Sequence, residues 1–169
     1  MKGTLVYLFM LMSVSCFSQG SRSDTIRTLQ AIIREQNCIS TPGVGYAGSP
    51  SAPWYAAVFL ISQASTDELL RMTHDTSAGL RVCAFAGLSY QHYPGLQKLK
   101  KEMAKDTAVL RSIEGCVIGE ISAGFAVNFV ERWMAKETMD KLWKRIAAEP
   151  AYRKNLYHAL VNKERPEPY

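Results

Sequence analysis

Apolar residues recur at intervals of three and four along most of the chain, the spacing that puts a buried stripe on one face of an α-helix. Between residues 24 and 36, Ile26, Leu29 and Ile33 share a face, and Asp24 stands where a helix cap belongs. From Trp54 the pattern changes: Trp54, Ala57, Val58 and Ile61 follow helical spacing while Tyr55, Phe59 and Leu60 make the other side apolar too, so this helix is expected inside the core. Ser65-Thr66-Asp67-Glu68 has the spacing of a capping box and opens a short helix with Leu69, Leu70 and Thr73 inward. Leu80, Cys83, Ala84, Gly87 and Leu88 mark the next stripe, whose small residues admit a close neighbour. Leu96, Leu99 and Met103 come next, and Leu110, Ile113 and Val117 extend the series as a further helix. Stripes at Ala126 to Trp133, Met139 to Ile146 and Tyr152 to Leu160 complete it. Alternation with a period of two is read nowhere over a sustained stretch, which predicts an all-α fold.

Breakers divide this pattern. Cys38 to Pro53 holds Thr41-Pro42-Gly43, Gly45, Gly48-Ser49-Pro50 and Ala52-Pro53, a density that predicts a linker or long loop. The first helix and this linker (19–53) are thus set apart from a helical body (54–164) and a tail (165–169). Ahead of them, Lys2, the apolar run Leu5 to Met12 and the small and polar residues Ser13 to Gly20 have the plan of a secretory signal peptide over 1–18. Cleavage after Ser18 or after Gly20 satisfies the small-residue rule. Ser13-Val14-Ser15-Cys16 also loosely resembles a bacterial lipobox, with Ser13 where Leu is usual, so lipidation at Cys16 is the one route by which a membrane enters the picture. The expected location is periplasmic or extracellular.

Asp75-Thr76-Ser77-Ala78-Gly79-Leu80-Arg81 and Asp106-Thr107-Ala108-Val109-Leu110-Arg111 align with one gap, at a period of about thirty residues that suits a helical-pair solenoid. On these residues the chain resembles the HEAT repeat family, whose units carry an Asp in the turn between paired helices and a basic residue six positions later. Asp75 and Arg81 keep that spacing, whereas Asp106 and Arg111 are one residue closer. Leu80 to Leu88 also looks like the second helix of such units in small exported bacterial proteins. The resemblance spans Thr66 to Gly119 and implies a short α-solenoid of antiparallel helix pairs, with Asp75, Arg81, Asp106 and Arg111 fixing the turns. An irregular helical bundle predicts the same helices without the ordered stacking.

The formal net charge is +5 and falls by one when Lys2 leaves with the leader. Mixed signs along the helices fit solvated faces rather than a nucleic-acid stripe, so no nucleic-acid partner is expected. Beyond Cys16 the cysteines are Cys38, Cys83 and Cys116, an odd number without metal-ligand spacing, and whether Cys83 and Cys116 pair stays open. His74, His92 and His158 form no catalytic motif, and no metal or cofactor is expected. The expected function is therefore non-enzymatic: binding of another protein or peptide on a repeat surface. Tyr90, His92 and Tyr93 on a loop and Lys98, Lys101 and Lys105 on the following helix are the candidate contacts. The alternative is a small periplasmic hydrolase or enzyme accessory with its site near the 38–53 loop.

Overall fold

The computed structural model describes residues 22–45, 48, 50–134 and 136–164. The expected leader, with its expected cleavage sites and Cys16, and the 165–169 segment expected as a tail lie outside the described residues. No helix among those described is long and apolar enough to cross a membrane.

Helix α1 (residues 22–36) buries the Ile26, Leu29 and Ile33 stripe in the same core as the rest of the chain rather than standing apart from it. Asn37 then turns the backbone into strand β1 (Cys38–Val44). Helices α2 (Ala52–Gln63), α3 (Thr66–Met72), α4 (Ala78–Tyr90) and α5 (Leu96–Met103) come next. The chain returns through strands β2 (Val109–Gly115) and β3 (Val117–Ser122), then closes with α6 (Ala123–Ala126), α7 (Val130–Trp133), α8 (Lys136–Ala148) and α9 (Pro150–Val161).

Serine caps explain where several of these helices begin. Ser51 accepts from the Trp54 amide, Ser77 from Leu80 and Ser122 from Phe125, while Ser65 and Glu68 form the reciprocal capping box that the sequence predicts. Helix α2 is apolar all round and is accordingly buried from Trp54 to Ile61. It touches β1 and α4, and also α8 and α9. Helix α4 in turn lies against α3, α5, α6 and both of the first two strands. At Gly87 an added Cβ would come within 2.9 Å of Leu69, so the small residue is what lets α3 settle on α4.

The sheet overturns the all-α solenoid. Its order is β1-β2-β3, with β1 parallel to β2 and β2 antiparallel to β3, so the molecule is a mixed α/β fold. A parallel pair needs a long crossover, and α2 to α5 provide it. The residues expected to form a helix over Leu110 to Val117 form a hairpin instead. Val109, Ile113, Val117, Ile118 and Ile121 are β-branched, and Gly115 takes a φ of 58° in the two-residue turn with Cys116. Glu114 and Glu120 belong to these strands. Likewise, the segment expected to be a linker from Cys38 begins as β1. Cys38, Ile39 and Ser40 are buried, and Pro42-Gly43 falls where the pairing register slips between Ser40 and Val44, a place where a strand tolerates proline.

Candidate partner-binding groove

Helix α4 ends in a Schellman motif. The Tyr93 amide donates to the Leu88 carbonyl at 3.0 Å, the His92 amide donates to the Ser89 carbonyl at 3.1 Å, and His92 itself has a φ of 55°. The left-handed position of this motif is glycine's usual place. Here an imidazole occupies it, and the turn projects that side chain into solvent. Two residues past the end of this turn, Gly95 leaves room for the Tyr93 ring, whose edge would lie 2.6 Å from a Cβ at that position.

Tyr90, His92 and Tyr93 line one cavity of about 590 Å³, together with Leu96 and Gln97 of α5, Val130, Met134 and Lys136. Three of the six predicted contacts are thereby assembled by the α4–α5 turn. Lys98, Lys101 and Lys105 are not part of the cavity wall; they are exposed along and just beyond α5. Val130, Met134 and Lys136 were missed by sequence reasoning, because residues so far along the chain reach this groove only through tertiary packing.

Tyr90 is held from three sides. Its ring meets Trp143 edge to face at 4.1 Å, its hydroxyl donates to Asp140 Oδ1, and Lys136 Nζ sits 4.7 Å from the ring centroid. Trp143 is itself fixed by a 3.0 Å hydrogen bond from Nε1 to the Val58 carbonyl. Desolvation, and then the neighbouring Asp140 carboxylate, push the Tyr90 phenol up to about 12, so it stays neutral and acts as a hydrogen-bond donor. The same Tyr90 hydrogen bond, with Lys136 in support at 3.4 Å, holds Asp140 below the usual carboxylate range.

Three of the four predicted turn residues, Asp75, Arg81 and Asp106, come together with Arg34 in an ion-pair cluster. Arg81 Nε donates to Asp106 Oδ2 at 2.7 Å, and its Nη1 donates to the Asp75 and Thr76 carbonyls at 2.7 and 3.0 Å. The Asp75 carboxylate is taken by Arg34 of α1, with Nη2 at 2.7 Å from Oδ2. That hydrogen bond holds the carboxyl below its ordinary range against partial burial, helped by the Ser77 amide. Arg111 lies in β2, where it pairs in register with Cys38, and is no helix residue.

In the 38–53 segment, the alternative site, Ser40 Oγ bonds Ser51 Oγ and donates to the Thr41 carbonyl, while Ser51 caps α2. Cys38 and Cys83 are buried free thiols, and burial pushes Cys83 up to about 12; Cys116 is exposed and also free. Among the described residues no group of three or more His, Cys, Asp or Glu side chains could hold a metal ion. No protein-family model, no curated protein and no solved structure matches the chain.

Proposed function

We propose that this protein is an exported, non-catalytic module that binds a peptide or protein segment in the groove at the α4–α5 turn. The observation that carries the reading is His92: an exposed imidazole holds a left-handed backbone position that glycine fills at lower cost, at the lip of a cavity walled by Tyr90 and Tyr93. Non-glycine residues in this conformation concentrate at functional positions. Aromatic side chains bury a large area with little rotamer loss, which suits them to anchoring a partner. Leu96, Val130 and Met134 supply an apolar floor, while Lys136 and the exposed lysines of α5 favour a carboxylate beside the anchor. The expected ligand is therefore a segment with one apolar or aromatic anchor flanked by acidic residues.

Selection of displayed peptides on the purified protein, followed by calorimetry, tests this. Enriched sequences should carry the anchor-plus-acid pattern, and Tyr93→Ala should weaken them at least about tenfold, the loss of one anchor contact. His92→Gly should weaken them as well while raising stability by about 0.5 kcal/mol, the left-handed penalty less glycine's extra unfolded-state entropy. Selected peptides that bind both variants as tightly as the parent would remove the groove from consideration.

A further inference from the structure

Strand β3 ends the sheet, and its outer side is an unpaired edge among the described residues. The direction of its hydrogen-bonding groups is set by the hairpin. A two-residue turn makes Glu114 and Val117 a hydrogen-bonded pair, so Gly119 and Ile121 also face β2. The opposite side of β2 agrees, since the Arg111 amide donates to Asn37 on the β1 side. The N–H and C=O groups of Ile118 and Glu120 therefore point to the open edge. That edge is also apolar, with Val117 71% and Ile118 65% exposed. Phe125 and Phe129, whose tilted rings lie 4.7 Å apart between centroids, extend the apolar surface just past the strand. It carries no lysine, proline or bulge, three of the devices by which sheets block edge pairing, and its one charged residue is Glu120.

We propose that this edge is an interface for a second copy of the chain, whose β3 pairs antiparallel to give a continuous six-stranded sheet. The register is decided by charge and length. A two-fold axis perpendicular to the sheet must place one β3 residue opposite its own copy. Glu120 on the axis would oppose two carboxylates, which is destabilising. Ile118 on the axis would spend the pairing on the turn and leave Ile121 and Ser122 unused. Gly119 on the axis uses the whole strand, setting Ile118 against Glu120 and Val117 against Ile121, with no like charges opposed. The same register brings Cys116 at the hairpin tip opposite Ser122 of the second copy.

Sedimentation equilibrium of the purified protein, expressed from the full sequence, should show a reversible dimer. Ile118→Glu should raise its dissociation constant at least about tenfold, because it sets a second carboxylate directly opposite Glu120 of the other copy, twice by symmetry. Val161→Lys, on an exposed apolar residue of α9, should leave it unchanged. Ser122→Cys should give a disulfide-linked dimer with native Cys116 when oxidised glutathione accepts the two electrons, because paired Cα atoms about 5 Å apart suit that bond. Glu120→Cys, which matches the register centred on Ile118, should not. A monomer at every concentration, a dimer indifferent to Ile118→Glu, or cross-linking through position 120 in place of 122 would overturn the proposal. If Ile118→Glu loses its circular dichroism, the two cysteine variants decide alone.

Discussion

Asn37 shows how much one side chain can organise. It leaves α1 with a φ of 40°, its Nδ2 donates to the Val109 carbonyl at 3.0 Å, and its Oδ1 accepts from the Gly79 amide at 2.8 Å and from Ser77 Oγ at 3.2 Å. One residue thus joins the end of α1, the start of β2 and the exposed amides of α4. Gly79 belongs to the same device, since a Cβ there would press on Asn37 and Cys38 at 3.0 to 3.1 Å. Asn37→Ala should cost about 3 kcal/mol, three hydrogen bonds at about 1 kcal/mol each. Asn37→Gly relieves the backbone strain and should recover only a fraction of that loss. Urea denaturation of the two variants separates backbone from side-chain contributions; equal stability of both with the parent would show that the bonds contribute nothing. None of this was legible in the sequence. An Asn before a Cys is compositionally ordinary, and its partners lie far along the chain, in α4 and β2.

At the scale of elements, the repeated Asp-Thr motif is genuine local chemistry without the global plan that a repeat implies. Asp75 Oδ1 accepts from the Ser77 amide at 2.9 Å, and Asp106 Oδ1 accepts from the Ala108 amide at 3.0 Å, so both aspartates make the same turn two residues ahead. Beyond the turn the two segments diverge. After Asp75, Ser77 caps Ala78, Gly79 and Leu80 into a helix. After Asp106, the Asp106 and Ala108 carbonyls accept from Gly124 and Ala123, and Val109 to Ile113 continue as a strand. Exposed Val109 beside buried Leu110 begins the alternation, but Ile113 and the Gly115-Cys116 turn obscure it as a periodic signal. Most of the helices were legible because their stripes and the Ser65 capping box are local, although the single stripe from Ala126 to Trp133 is divided between α6 and α7; β1 and β2 are made by pairing between distant parts of the chain, which spacing alone does not encode. Arg81 connects the two turns. Arg81→Met should cost about 2 kcal/mol, as for lost hydrogen bonds to a charged partner, and Asp106→Asn less. Because they share one contact, the double variant should lose clearly less than the sum. Additive losses in thermal melts would show that the pair is not coupled.

For the whole molecule, two carboxylates reinforce the apolar seam between α1 and the body. Asp75 is gripped by Arg34, and Glu68 by Arg22, whose Nη2 lies 2.8 Å from Oε2. Burial acts to raise Glu68, but hydrogen bonds from the Ser65 amide and hydroxyl and from Arg22 outweigh it and hold the group low. Asp75 is held low chiefly by its hydrogen bond from Arg34. A carboxyl lowered in the folded state binds its proton less readily than in the unfolded chain. Its stabilisation is therefore complete above the ordinary carboxylate range, about 4, and is lost as pH falls through the depressed folded value. The midpoint of thermal unfolding should be flat near neutrality and drop steeply below about pH 4. In Asp75→Asn combined with Glu68→Gln the midpoint should be lower at neutral pH, since both pairs are gone, yet it should fall less on acidification until the two curves converge. Because Leu29 and Ile33 of α1 are buried in the common core, the loss should be global, with amide exchange of residues 22–36 rising together with that of α2 and α4. Parallel acid curves for parent and double variant would assign the acid sensitivity to other groups, and early exchange confined to α1 would mean that this helix is a separable clasp rather than part of a single cooperative unit.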